Sequence, residues 1–135
     1  MYEAELGRLL AFGGIHLVAV GDEATVVGYM LACMRTDGYD GEEFRYLVER
    51  IRRPFLYVDQ LAVEPRRKRS GVGGKLYEAL IEHARARDVE CLCCEVNSSP
   101  PNPASLDFHV RLGFTAIGTG DTLDGRRVTF LARGV

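Results

Sequence analysis

The sequence of 135 residues predicts an α/β fold, a mixed central sheet flanked by helices. Residues 55–86 switch from an aromatic and β-branched run, through a basic glycine-rich turn, to apolar residues at helical spacing. A helix that crosses over between two strands requires those strands to be parallel. The short polar turns nearer the two ends of the chain connect strand-like runs as antiparallel hairpins.

Each element has its own local reason. Leu6, Leu9 and Leu10 predict a first helix over residues 2–12, stopped by Gly13-Gly14. IHLVAV (15–20) and VVGYMLACM (26–34) read as strands around the polar turn Gly21-Asp22-Glu23. After a loop over 36–41, Phe44, Leu47, Val48 and Ile51 place a helix over 42–52, closed by Pro54. The central strand covers 55–63 and Pro65, which has no N–H to donate, ends it. The central helix starts at Val72 and turns Val72, Leu76, Tyr77, Leu80, Ile81 and Ala84 to one side. The next strand opens at Asp88-Val89 and runs through Asn97, followed by a rigid loop at 98–101. Asn102 is placed as an N-cap with Pro103 at the first helical position, and Gly113 fits a left-handed terminator. The last strands are 114–117 and 126–132, joined through Asp124-Gly125. The whole chain reads as one domain, without repeats or a linker.

Composition excludes several function classes. The formal charge of −2 argues against a general nucleic-acid binder, since one basic loop does not make a wide positive face. No run approaches the roughly 20 apolar residues of a membrane span, and no signal core follows Met1, so a cytoplasmic protein is expected. Cys91, Cys93 and Cys94 lie in a strand-like run and Cys33 in another. No second Cys or His cluster completes a zinc set, so these are read as small buried hydrophobes in a reducing compartment, with no metal.

The turn at 66–74 carries the chemistry. Four basic side chains precede Gly71, Gly73 and Gly74, where a helix begins with free N–H groups and a positive dipole end. Such a turn suits phosphate. It is not a P-loop, because Leu76 follows Lys75, and the dinucleotide fingerprint fails because position 76 is not glycine. What it does resemble is the acyl-CoA-binding motif of the GNAT superfamily of N-acetyltransferases, V-x-P-x-x-R/Q-x-x-G-x-G/A. Here that motif reads Val63, Pro65, Lys68, Gly71, Gly73, with lysine where the family has Arg or Gln. A second family motif, N-x-x-A/S-x-x-F-Y-x-x-x-G-F, is matched by Asn102, Ser105, Phe108, Gly113 and Phe114, with His109 in place of tyrosine. The form PPNPASxxFHxxLGF resembles a subgroup of predicted acetyltransferases. The resemblance covers about residues 15–133, and the family's first strand and helix have no counterpart ahead of it, a shortened N-terminus.

The resemblance implies acetyl-CoA as cosubstrate and an amine, on a small molecule or a peptide, as acceptor. It implies that Leu61, Ala62 and Val63 offer backbone groups to the pantetheine, with an N–H near Leu61 or Ala62 facing the thioester oxygen. Lys68, Arg69, Ser70, Gly71, Val72, Gly73 and Gly74 would hold the pyrophosphate, and Asn102 and Ser105 would line the same cleft. The family's general acid is often the tyrosine that His109 replaces. A histidine there can donate to a leaving thiolate, or alternatively only bond a backbone carbonyl. Asp59 and Glu95 are acids inside otherwise apolar strands, so each is a candidate base, the alternative being an ion pair with arginine. Tyr57 shares the face of Asp59 if no bulge intervenes. His16 and His83 carry no case for chemistry. The resemblance implies that Asp37, Asp40, Glu42 and Glu43, in the loop and helix start, border the acceptor cleft, which would favour a cationic amine. No cysteine stands where a reactive thiolate is expected, so direct attack in a ternary complex is expected over a covalent intermediate. The competing reading is a CoA-binding or interaction module without catalysis, and the shortened N-terminus makes a homodimer attractive.

Overall fold

A computed structural model describes residues 14–35, 37, 41–67 and 70–135 of the chain. The helix expected over 2–12 lies outside the described residues, as do Asp40, Lys68 and Arg69. Six strands form one sheet: β1 (Ile15–Val20), β2 (Val26–Met34), β3 (Phe55–Val63), β4 (Cys91–Ser99), β5 (Thr115–Asp121) and β6 (Arg127–Gly134). Their order across the sheet is β1-β2-β3-β4-β6-β5, with β3 and β4 parallel and every other pair antiparallel. The helices are α1 (Glu42–Arg50), α2 (Val72–Ala86) and α3 (Pro103–Arg111). The mixed sheet and the parallel pair flanking the crossover helix are as the sequence predicts.

Alternation along the strands divides the core into two layers. On one face Leu76, Tyr77, Leu80 and Ala84 of α2 pack on Met30, Ala32, Leu56, Val58, Leu92, Cys94 and Leu131. On the other face Phe44 and Leu47 of α1 pack on Cys33, Phe55, Tyr57, Cys93, Val128 and Phe130. Each fully buried Leu or Phe contributes about 1.5–3 kcal/mol of transfer free energy, so these two layers hold the helices to the sheet. All four cysteines are buried and free, in the role of small hydrophobes.

Several boundaries differ from expectation. Helix α1 stops at Arg50, because Ile51 adopts an extended conformation while its N–H still bonds Leu47 O at 2.8 Å. Strand β5 continues to Asp121 through Gly118-Thr119-Gly120, which strand propensity disfavours. The gain is in packing. Tyr46 of α1 stacks on Phe130 at 3.8 Å between ring centroids, and a Cβ on Gly118 would lie 2.4 Å from the Tyr46 hydroxyl. The expected caps of α3 are present: Asn102 Oδ1 accepts from Ser105 N at 3.3 Å, and Gly113 has φ +95°.

Candidate active site

The parallel ladder between β3 and β4 is short. Only Phe55–Cys91, Leu56–Leu92 and Tyr57–Cys93 pair, although each strand has nine residues. Beyond Tyr57 the strands diverge, and the edge of β3 that faced β4 carries backbone groups with no ladder partner. Its other edge stays paired, with Leu61 opposite Met30, Ala62 opposite Tyr29 and Val63 opposite Gly28. The divergence coincides with a β-bulge: Leu31 pairs with Gln60 and Ala32 with Val58, leaving Asp59 as the extra residue. The bulge reverses parity. Tyr57 belongs to the α1-side layer, whereas Leu61, four residues on, packs against the α2-side layer.

The start of α2 closes one end of this cleft. Gly71 is its N-cap at φ +90°, a conformation that favours glycine, and no side chain caps the helix. A Cβ on Gly71 or Gly74 would meet nothing within 4 Å, so the first turn is open to a ligand. No acidic residue lies in that turn. Ser70 turns its hydroxyl back to Arg67 O, bracing the preceding loop. These uncapped N–H groups fit a diphosphate. Gly73 has a different role: its Cβ would lie 2.9 Å from the Phe108 ring, so glycine here lets α3 seat against α2.

Glu95 stands on β4 beyond the last parallel pair, and Tyr57 Oη donates to its Oε2 at 2.8 Å. Burial raises its pKa to about 8, and the nearby Glu43 and Asp59 carboxylates add to the rise. The Tyr57 hydroxyl and Arg126 pull it down. Asp59 and Glu95 are therefore brought within electrostatic reach of one another. Tyr57 bonds Glu95, and the bulge follows it at Asp59. Asp59 also raises the pKa of Tyr29, after burial as the larger cause, and that phenol lies 2.9 Å from His16 Nδ1.

His109 is 5% exposed and both its ring nitrogens are engaged. Nδ1–H donates to Ser105 O at 2.7 Å, which leaves Nε2 to accept the Tyr77 hydroxyl at 2.7 Å. Burial holds its pKa below 6.5, so the ring is neutral at physiological pH. A neutral ring with its proton committed to a carbonyl has none to give a thiolate. This corresponds to the alternative reading of His109, a bond to a backbone carbonyl, and its partner Tyr77 is a residue that sequence reasoning treats only as core. Ser105 supplies that carbonyl, and Asn102 caps α3.

The other wall is formed by α1 and the β5–β6 turn. Arg126 Nη2 bonds Glu43 at 3.1 Å, Nη1 bonds Asn97 at 3.0 Å and Nε bonds Asp124 at 3.0 Å. Leu123 N donates to the Glu42 carboxylate at 2.8 Å. A cleft of about 340 Å³ beside this strap is lined by Glu42, Glu43, Tyr46, Glu49 and Asp121. The network joins residues up to 83 positions apart, which no local pattern could reveal. Among the described residues no group of three potential metal ligands occurs, and no helix is long and apolar enough to cross a membrane.

Comparison with known proteins places this geometry. The model of the acetyltransferase (GNAT) family matches residues 2–114, most of the chain. The chain belongs to that family. A GNAT protein is an acetyltransferase that takes its acyl group from acetyl-CoA, and the β3–β4 divergence and the uncapped start of α2 fit that cosubstrate. Among solved structures, the fold is similar to ribosomal-protein-alanine N-acetyltransferase from Brucella melitensis, with TM-score 0.68 and 26% identity over 96% of this chain and 74% of that one. It is also similar to the ribosomal-protein-S18-alanine N-acetyltransferase of Escherichia coli, with TM-score 0.71 and 18% identity over 100% and 77% of the two chains. A third structure, the NatC complex bound to Gag peptide and CoA, gives TM-score 0.69 and 18% identity over 99% and 77%. No curated protein matches the chain.

Proposed function

We propose that this protein transfers the acetyl group of acetyl-CoA to a primary amine by direct attack in a ternary complex, with Glu95 as the base. The observation that carries this reading is the position of Glu95, a partly buried carboxylic acid that accepts the Tyr57 hydroxyl beyond the point where β3 and β4 part, its pKa raised by desolvation. Unpaired N–H groups of the β3 edge at Leu61 or Ala62 receive the thioester oxygen as it gains charge. The ammonium form of the acceptor gives one proton to Glu95, and the neutral nitrogen attacks the carbonyl carbon. The C–S bond then breaks, the electron pair leaves on sulfur, and the second nitrogen proton neutralises the thiolate. Asp59, within reach of Glu95, draws the cation in and is the secondary carboxylate of the site.

In this reading residues 70–74, with Lys68 and Arg69, take the pyrophosphate, Leu61, Ala62 and Val63 take the pantetheine, and Asn102 and Ser105 belong to the same cosubstrate site. His109 is a positioning residue: through Tyr77 it ties α3 to α2, the two helices on either side of the cosubstrate. The engaged His109 is also the one observation that favours the second reading, a CoA-binding module without transfer chemistry. The acceptor is an amine of a small molecule or a peptide, as in the acetyltransferases of similar fold. A homodimer, a cytoplasmic location and the PPNPASxxFHxxLGF subgroup complete the reading.

The test is calorimetric titration with acetyl-CoA, followed by thiol release with a panel of amines on the wild type and on Glu95→Gln. Saturable binding with amine-dependent thiol release that falls at least about a hundredfold in Glu95→Gln supports the transferase. Saturable binding with no thiol release supports the module, and no binding by folded protein rejects both.

A further inference from the structure

Strand β5 is an outer strand of the sheet and, among the described residues, pairs only with β6. Monomeric proteins blunt such edges with charges or proline. From Thr115 to Gly120 this edge has neither, and Ile117, the extra residue of a bulge, is 40% exposed. Two complementary features sit at its two ends. Beyond its C-terminal end, the turn to β6 raises Leu123, 94% exposed, between Asp121 and Asp124. Near its other end is a groove lined by Arg50, Arg52, Arg53, Ile117 and Ala132. Arg126 takes up the charge of Asp124, but Asp121 makes no ion pair among the described residues, and neither do Arg52 and Arg53.

An acidic knob with an apolar tip and a basic groove with an apolar floor, placed at opposite ends of one free strand, are complementary across a two-fold axis. An axis near Thr119 that sets two β5 strands antiparallel places Asp121 of one copy opposite Ile117 of the other, since both are two residues from Thr119. The same operation carries each turn at 122–125 toward the other copy's arginines. Both knobs are then filled at once. We propose that the occupant of this edge is a second copy of the chain, paired through β5 into a continuous sheet, with the Leu123 turn of each copy seated in the arginine groove of the other. Sedimentation reads this pairing without the transfer chemistry, although the β5–β6 turn also borders the acceptor side of the candidate site.

Sedimentation velocity of the full chain tests it, on the wild type, Thr119→Pro, Leu123→Asp, Asp121→Arg and Arg52→Glu/Arg53→Glu. The wild type is expected to dimerise with a Kd near micromolar that weakens about tenfold between low and high salt, as screened ion pairs require. Leu123→Asp alters a side chain that supports nothing in the fold, so it is expected to be a folded monomer, and Thr119→Pro, on the ladder to β6, is expected to be monomeric with a circular dichroism spectrum like that of the wild type. Each charge reversal is expected to weaken the dimer at least about tenfold, and combining Asp121→Arg with Arg52→Glu/Arg53→Glu to restore it. A wild type that is monomeric at about 100 μM overturns the proposal. So does a dimer that is indifferent to Leu123→Asp and to the charge reversals.

Discussion

Replacing Glu95 by Gln removes a titration that the fold opposes. In the folded protein burial raises this carboxyl from 4.5 to about 8. A raised pKa means that the native state holds the proton more tightly than the unfolded chain does. The associated stability is complete below pH 4.5, declines as the unfolded chain alone ionises, and is gone once pH passes about 8. One pH unit of such a mismatch is worth about 1.4 kcal/mol, so the window amounts to at most about 5 kcal/mol, of which about 4 falls between pH 5 and pH 8. The amide introduced by Glu95→Gln keeps the Tyr57 bond through its oxygen and has no proton to lose. Urea unfolding of both proteins at pH 5, 6, 7 and 8 measures the difference directly. His16 and His109, whose pKa values are lowered by burial, act with the opposite sign below pH 6.5 and cancel between the two proteins. The variant is expected to match the wild type at pH 5 and to exceed it by several kcal/mol at pH 8. Parallel stability curves would refute the high-pKa carboxyl, and with it the choice of Glu95 as base.

In catalysis, kcat/KM of the wild type is expected to rise with pH to about 8 as Glu95 ionises, and pH-rate profiles of Arg126→Met are expected to shift that limb upward, because Arg126 favours the carboxylate. Gly74→Glu puts a carboxylate into the open first turn of α2. It is expected to raise thermal stability slightly, by about 0.5 kcal/mol of helix propensity, while weakening acetyl-CoA binding by at least about a hundredfold in calorimetry. His109→Phe leaves the Tyr77 hydroxyl buried without its acceptor and is expected to cost about 1–3 kcal/mol in urea unfolding. Adding Tyr77→Phe should recover part of that, and neither variant should move the pH profile of kcat, as loss of a general acid would.

The elements were legible wherever one face of a segment is buried by its own periodicity. The central helix fell on 72–86 because its apolar spacing is uninterrupted, and α3 was framed by residues whose cap geometry is local, Asn102, Pro103 and Gly113. Strand β5 was cut short because Gly118 and Gly120 speak against a strand, and the reason they belong to one, the Tyr46 ring resting on them, comes from α1. In the site, Glu95 could be picked out as an acid in an apolar run. Its partner Tyr57 could not, being 38 residues away on a parallel strand. His109 was visible as a departure from a motif, but the direction of its ring depends on Tyr77 from another helix, a contact that no local pattern shows.

The bulge at Asp59 explains why one stretch of β3 can serve both sides of the proposed reaction. Without an extra residue, Leu61 would face α1 together with Tyr57, and the strand would continue in register with β2. With it, Leu61 turns into the α2-side core and anchors the strand there, while Ala62 takes an exposed position opposite Tyr29. The added twist of a bulge also bends β3 away from its next neighbour, consistent with a ladder to β4 that ends two residues before Asp59. A single inserted carboxylate thus coincides with the edge of β3 proposed for acetyl-CoA and puts a negative charge within electrostatic reach of Glu95. Alternation read along the sequence assumes one face per parity and carries no trace of such an insertion, since Asp59 satisfies the pattern up to its own position. Cross-strand register, which only the folded sheet defines, is what turns an acid in a strand into part of a site.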